Sequence, residues 1–442
     1  MSDYIYMLES HLSPDQNRVV EEVQAAAAPA NVNLFLTGGA MRDMLSGNRI
    51  RDLDFVVEGN AIKVAKSIAD RGTARIVATD EDRKTADLVF ASGVTAQIAM
   101  SRQEKVGRGG KAQISPATIQ DDLRRRDFTC NAIALSLNKA SRGLLLDPLN
   151  GLADIEHKEL RAASGYGFYD DPSRLLRMTR LSVRLGFAIE ERTRMQVENA
   201  REAQVEQQIP ARALSDELRR ISGEDAPSEI LTLLSESGLL KLFSPALEGA
   251  KLNLAGIQRL EKAAKMLPDD IKTRAARLGP FLYSLTEKLS PKEKAALIKS
   301  TAMPKIDVDA WQKLEAKAKK LETALRSARI KKASQVYHLV NNAAPDEVLF
   351  LLYHSTFKPV QERLRNYFQK YLPQVQEILP EEWASVEGKP GTPKYNKARE
   401  DFVSHRLDRR VKKPVPAPEL PPPPPPPSSW TTPQTAMSRR GR

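Results

Sequence analysis

Cysteine is all but missing from this 442-residue chain. Cys130 stands alone, so no intramolecular disulfide can form, and the five histidines do not fall at zinc spacings with it. Long apolar runs are missing too: no window approaches eighteen apolar residues, which argues against a membrane-spanning helix. The first residues, Met1 to Glu9, include Asp3 and Glu9 and bring no basic segment followed by an apolar stretch. The expectation is a cytoplasmic protein, neither exported nor membrane-bound. Aromatics are scarce at 6%, yet 41% of the chain is hydrophobic, enough for a sizeable core, while 28% is charged and mean hydropathy is −0.44. Acidic residues are outnumbered, 56 against 68 lysines and arginines, giving a net charge of +12. That balance favours a polyanionic partner, nucleic acid ahead of an anionic membrane surface.

The length suggests more than one unit. From Leu34 to about Ala163, apolar runs beginning at Leu34, Asp54, Arg75, Asp87 and Val94 read as strands, and Ala61 to Arg71 sets Ile62, Ala65 and Ile68 on one helical face. This stretch is expected to be α/β. Beyond Asp170 the strand signal nearly disappears, and apolar positions recur at helical spacing, as in Leu231, Leu234 and Leu349, Phe350, Leu352, Tyr353. After about Gly388 the composition turns to proline, with an unbroken run from Pro421 to Pro427 before a basic end. Such a segment cannot build a core. A solubilising tail, a basic tether for RNA and a ligand for an unknown proline-reading protein all fit it. The boundaries drawn are an N-terminal extension with a catalytic head over 1–165, a helical neck over 166–225, a helical body and tail over 226–385, and disorder over 386–442.

Chemistry concentrates early in the α/β half. Leu36-Thr37 leads from a strand into Gly38-Gly39 and then into a helix carrying Arg42 and Asp43, so backbone N–H groups can approach a phosphate with no side chain in the way. Arg42 is placed to add a charged fork. Asp52 and Asp54 then fall two apart at a strand start, and a period of two sends both carboxylates to one side of the sheet. Two oxygen ligands suit Mg²⁺, which keeps other positions for water and substrate phosphates. Singly, a Gly-Gly turn and an Asp-x-Asp are ordinary loop features; in this order they compose a phosphoryl-transfer site.

Gly38-Gly39-x-x-Arg42-Asp43 with Asp52-x-Asp54 resembles the first motif of the class II tRNA nucleotidyltransferase and bacterial poly(A) polymerase family. The resemblance continues in order to Ile221. It implies a catalytic head of the DNA polymerase β type followed by an all-α neck, body and tail. Asp122-Leu-Arg-Arg-Arg126-Asp127-Phe-Thr-Cys-Asn131 is similar to the second motif, which implies that Arg126 contacts the nucleotide; read alone, the arginines are more simply a basic helix end. Asp147-Pro148, Gly151, Asp154 and Arg161, and later Pro210 to Ile221, resemble structural motifs.

The most specific stretch runs from Tyr169 to Phe187. Asp171 before Pro172 is an ordinary helix cap worth about 1 kcal/mol. Yet Asp171 and Arg174 are neighbours three apart, a carboxylate acceptor beside a guanidinium donor. Cytosine and adenine each present an amine donor beside a ring-nitrogen acceptor, and uracil and guanine the reverse, so one such pair accepts CTP and ATP and refuses UTP and GTP. The resemblance gives this pair the same base-reading role. Arg177, Arg180 and Arg184 continue that face, either meeting the triphosphate or the RNA end or forming a solvated stripe.

Three departures stand out. Where such families place an acidic residue five before an arginine in the last catalytic strand, here Arg102, this chain has Gln97, which cannot act as a base or balance metal charge. Asp170 replaces a commoner glutamate. No His-Asp doublet marks a phosphohydrolase domain. The stretch between Arg102 and Asp121, glycine-rich and basic, is expected to be mobile and of near ordinary length, which leans towards full C-C-A addition. The expected function is therefore template-independent addition of CMP and AMP to the 3′ end of tRNA, with two Mg²⁺ ions on Asp52 and Asp54, Gly38, Gly39, Arg42 and Arg126 at the phosphates, Asp171 and Arg174 at the base, and Arg177 and Arg180 beside them. Poly(A) polymerase, A-only or CC-only addition, and an RNA-binding homologue with weak catalysis are the alternatives.

Overall fold

The computed structural model describes residues 3–106, 112–268, 275–389 and 392–409. Two helices come first, α1 (Asp3–His11) and α2 (Pro14–Ala27). Ser13 and Gln16 close a reciprocal capping box at the start of α2 and Pro14 fills its first turn, so the helix begins where its free N–H groups are satisfied. Its buried face, Val19, Val20 and Val23, joins Ile5 and Leu8 of α1 in the same core as the sheet.

The head then runs β1 (Asn33–Thr37), α3 (Gly39–Leu45), β2 (Leu53–Glu58), α4 (Ala61–Asp70), β3 (Ala74–Asp80), β4 (Thr85–Phe90) and β5 (Thr95–Met100). A hairpin of β6 (Arg102–Val106) and β7 (Ala112–Pro116) follows, then α5 (Ile119–Arg124), β8 (Ala134–Ser136) and β9 (Leu145–Leu146). The mixed sheet has the order β3-β4-β5-β2-β1-β8-β9, with β2 and β5 parallel and the other pairs antiparallel. Strand alternation divides the residues by face. Leu36, Phe55, Val57, Ala86, Leu88, Ala96 and Ile98 turn towards α2 and α4, and Phe35 and Val56 turn to the other side beneath Ile119 and Leu123 of α5. Asp54, Gln97 and Asp87 stand in one cross-strand row on that second side.

After α6 (Gly151–His157) come the neck helices α7 (Gly167–Asp170), α8 (Arg174–Leu185), α9 (Glu191–Glu202) and α10 (Ala211–Ser222). The hydrophobic core is continuous from the head through the neck to Trp311, while a second cluster from Leu314 to Leu407 forms the distal helical body. The α/β head and helical remainder are as the patterning indicates.

Two expectations are corrected. The segment after Arg102 is not a mobile loop over its length: β6 and β7 pair from Arg102↔Pro116 to Val106↔Ala112, and 107–111 lies outside the described residues. Disorder does not begin at 386 either. Thr392 caps a helix, Pro393–Asp408, by accepting from the Tyr395 N–H, and Pro393 is its first-turn proline. Val403 and Leu407 enter the second core, and Asp408 accepts from the Ser334 amide and hydroxyl. The prolines that read as a break are in part a helix start; the expected disorder of 410–442 lies outside the described residues.

Head and neck are joined by a buried ionic cluster. Arg184 of α8 bonds Asp43 of α3 at 2.6 Å, and Arg180 bonds Glu217 at 2.6 Å and Glu224 at 3.0 Å. Glu224 also accepts from Arg51, beside β2, at 2.8 Å. Burial and the nearby Arg42 push the Arg184 guanidinium down to about 10, so it stays charged at neutral pH. Removing one member leaves uncompensated buried charge. Glu224→Ala is expected to cost about 3–5 kcal/mol, read as a lowered denaturation midpoint; a loss below about 1 kcal/mol would show the pairs to be solvated.

Candidate active site

The sheet row faces an open cleft of about 2190 Å³ between head and neck, lined among others by Gly38, Gly39, Asp52, Asp54, Arg126, Asp171 and Arg174. Gly38 holds its floor. Its φ of +66° lies in the left-handed region, and a Cβ there would stand 3.1 Å from both Arg126 Nη1 and Asp54 Oδ2. A side chain there is strained by the backbone and would press on both of these side chains at once. Gly39 opens α3 and its amide helps to stabilise the Asp54 carboxylate.

Asp54 lies in β2 and Asp52 immediately precedes that strand, exposed. Burial, and then the negative charge of Asp52, push the Asp54 carboxyl up to about 6; Arg126, the Gly39 amide and Arg42 oppose the rise. Two carboxylates that repel one another in the absence of a counter-ion fit a divalent cation. Among the described residues no group of three or more His, Cys, Asp or Glu gathers at metal distance, so a cation held by Asp52 and Asp54 would take its other ligands from water and phosphate oxygens.

The arginines are not equivalent. Arg126 donates to Asp122 through Nε and Nη2 (3.3 and 3.0 Å), to the Thr37 hydroxyl at 3.0 Å and to the Asn131 carbonyl at 3.3 Å, which fixes it over Gly38. Arg42 is buried, with Nε and Nη2 on Asp43 Oδ1 (3.0 and 2.7 Å) and Nη1 on Asn131 Oδ1 at 2.6 Å. Three of its five N–H groups are thus engaged at the edge of the glycine turn. Arg177 bonds Asp127 at 2.8 Å. Burial alone would raise the Asp127 carboxyl, but Arg177 and the Asn131 and Phe128 N–H groups hold it well below the usual range. Arg180, expected beside the nucleotide, is 4% exposed and held by Glu217 and Glu224, so its side chain serves the head–neck cluster. Cys130 is buried and its thiol pushed up to about 12, chiefly by burial, so it offers no nucleophile at neutral pH.

Asp171 and Arg174 come together as their spacing indicates. Asp171 Oδ1 accepts from the Ser173 amide (3.1 Å) and hydroxyl (2.5 Å), while Oδ2 lies 3.8 Å from Arg174 Nε. The N-cap of α8 is Ser173, not Asp171; Asp171 closes the turn before it through Oδ1 and faces Arg174 with Oδ2. Arg174 donates Nη1 to the Arg126 carbonyl at 3.3 Å and Nη2 to the Arg125 carbonyl at 3.2 Å. The turn carrying the carboxylate–guanidinium pair is thereby fastened to the backbone of the arginine that covers Gly38. Asp122 and Asn131 lie in the second motif and Glu217 in the structural stretch, but their partners are not readable from the sequence, and nothing there singles out Glu224.

Residues 34–161 match the model of the poly A polymerase head domain. Over 341 residues the chain is 28% identical to an A-adding tRNA nucleotidyltransferase of Aquifex aeolicus, covering 76% of this chain and 40% of that protein. Over 177 residues it is 35% identical to a CC-adding tRNA nucleotidyltransferase of Deinococcus radiodurans, covering 40% and 47%. A solved tRNA nucleotidyltransferase complexed with a primer tRNA and an incoming ATP analog superposes with a TM-score of 0.52 at 26% identity, over 80% of this chain and 98% of that one. The chain spans about half the length of the first curated relatives it matches. Among the described residues, no helix is long and apolar enough to cross a membrane.

Because the folded state raises the Asp54 pKa above its unfolded value near 3.8, the ionised carboxylate destabilises the metal-free fold above about pH 6, and that cost vanishes as pH falls towards 4. Asp54→Asn is expected to stabilise the metal-free protein by roughly 1–3 kcal/mol at pH 7.5 and by almost nothing at pH 4. Thermal unfolding in chelator at the two pH values measures it; an equal effect at both would contradict the electrostatic origin.

Proposed function

We propose that this chain, which belongs to the family of the class II tRNA nucleotidyltransferases and bacterial poly(A) polymerases, adds CMP and AMP to the 3′ end of tRNA without a nucleic-acid template. The observation that supports this reading is the fastening of Arg174 to the carbonyls of Arg125 and Arg126, which holds Asp171, Arg174 and Arg126 together across from Asp52 and Asp54, as a base-reading pair beside a phosphate-covering arginine requires.

In this mechanism Gly38 and Gly39 let the triphosphate approach the backbone, and Arg126, with Arg42 at the turn's edge, balances its charge. Asp171 and Arg174 accept the amine and donate to the ring nitrogen of cytosine or adenine. The tRNA 3′-hydroxyl attacks the α-phosphate in line, its proton leaves to solvent or a neighbouring base, and pyrophosphate departs along the glycine turn. Asp52 and Asp54 would hold Mg²⁺, two ions in the fullest form of this reading, which activates the hydroxyl and neutralises the triphosphate when bound. The basic helical body would grip the tRNA by its phosphates and shape, in the cytoplasm where tRNA is matured.

The names of the first relatives favour a second reading, A addition to a tRNA that already ends in CC. Incorporation into tRNA ending at the discriminator base and into tRNA ending in CC, with the four nucleotides offered singly and together, decides between them. Full activity gives CCA on the first substrate and then stops; extension of the CC-ending tRNA alone supports A addition, unlimited A a poly(A) polymerase, and no incorporation a binding protein. Asp54→Asn is expected to lower kcat by roughly 10³-fold or more. Asp171→Ala is expected to reduce discrimination against UTP and GTP by about 100-fold or more, while correct incorporation falls less than with Asp54→Asn.

A further inference from the structure

Gln97 stands where a third carboxylate was expected, and its surroundings give that substitution a chemical meaning. In the sheet Gln97 of β5 is the direct partner of Asp54 on one side and of Asp87 of β4 on the other. All three line the cleft. Gln97 Nε2 donates to Asp87 Oδ1 at 2.8 Å. Only the amide nitrogen can face an ionised carboxylate, so Asp87 decides which way the amide lies. With its nitrogen committed to Asp87, the amide oxygen has to face elsewhere, and Asp54 stands on the other neighbouring strand. Asp87 has no ion-pair partner among the described residues, so its charge is not spent elsewhere on the surface.

We propose that Asp87 is a positioning residue that holds Gln97 with Oε1 turned towards the cation of Asp52 and Asp54, so that an amide and a carboxylate on adjacent strands together replace the missing acidic residue. Gln97 supplies the oxygen, as direct ligand or as acceptor for a cation-bound water; Asp87 fixes the oxygen's direction and strengthens its partial charge by polarising the amide. The negative charge is thus kept one strand further from the cation than in a three-carboxylate site. Asp87 lies two strands from Asp54, too far to share its ion directly. The proposal rests on the reading of Asp52 and Asp54 as cation ligands.

Mn²⁺ titration of the full chain, followed by electron paramagnetic resonance of the free ion, tests it without reference to turnover. Wild type should bind Mn²⁺ and Asp54→Asn should lose that binding. Asp87→Ala should weaken it by roughly tenfold with unchanged thermal stability, since Asp87 is exposed and leaves no buried group unpaired. Asp87→Asn keeps an acceptor for Gln97 without the charge and should fall between. The double variant Asp87→Asn with Gln97→Glu exchanges the roles across the same pair and should restore or tighten binding. Affinity of Asp87→Ala within about twofold of wild type, with Asp54→Asn still defective, would overturn the positioning role alone. Binding that survives Asp54→Asn would overturn the ligand reading and the proposal with it. Should Asp87→Ala fold poorly, Gln97→Ala makes the same comparison.

Discussion

Everything at the cleft depends on the buried ionic joint between head and neck. Four guanidiniums, Arg42, Arg51, Arg180 and Arg184, meet three carboxylates, Asp43, Glu217 and Glu224, with contacts between 2.6 and 3.9 Å. A hydrophobic joint of similar size would be as stable, or more so, but would tolerate sliding. The Arg184–Asp43 bond ties α3, which begins at the glycine turn, to α8, which begins at Arg174.

A second tie complements the first. Arg174 reaches across to the carbonyls of Arg125 and Arg126, while Arg126 itself is oriented by Asp122, Thr37 and the Asn131 carbonyl. Asn131 takes part three times, its carbonyl accepting from Arg126, its side-chain oxygen accepting from Arg42 and its side-chain amide donating to Asp127. The groups proposed to meet phosphate and base are therefore positioned before any ligand arrives, which is how a site of modest size discriminates without reorganising. The same crowding of positive charge offsets only part of the cost of ionising Asp54 against burial and against Asp52, whose net effect is still to raise its carboxyl.

Much of this was legible in the chain itself. The Gly38-Gly39 turn, the Asp52-x-Asp54 pair and the Asp171/Arg174 spacing were readable because each is local: period two on a strand, three residues on a helix, a φ that only glycine adopts freely. The change from strands to helices after Asp170 was readable for the same reason. The hairpin at Arg102–Pro116 is hidden by the glycine-rich composition of its sequence, and the helix at Pro393–Asp408 by a first-turn proline that resembles those of the proline-rich tail.

What the tertiary structure alone decided is the division of labour among like residues. Arg177, Arg180 and Arg184 fall on one helical stripe in the sequence, yet one bonds Asp127, one is buried on Glu217 and Glu224, and one crosses to Asp43. Gln97 reads as a defect until β4 brings Asp87 against it. Sequence patterning determines which elements form and which residues share a face, because those follow from backbone periods of a few residues. It does not determine whether a charge meets solvent, a ligand or a buried partner, because the partners lie from 10 to 141 residues away and only the packed fold brings them within hydrogen-bond distance.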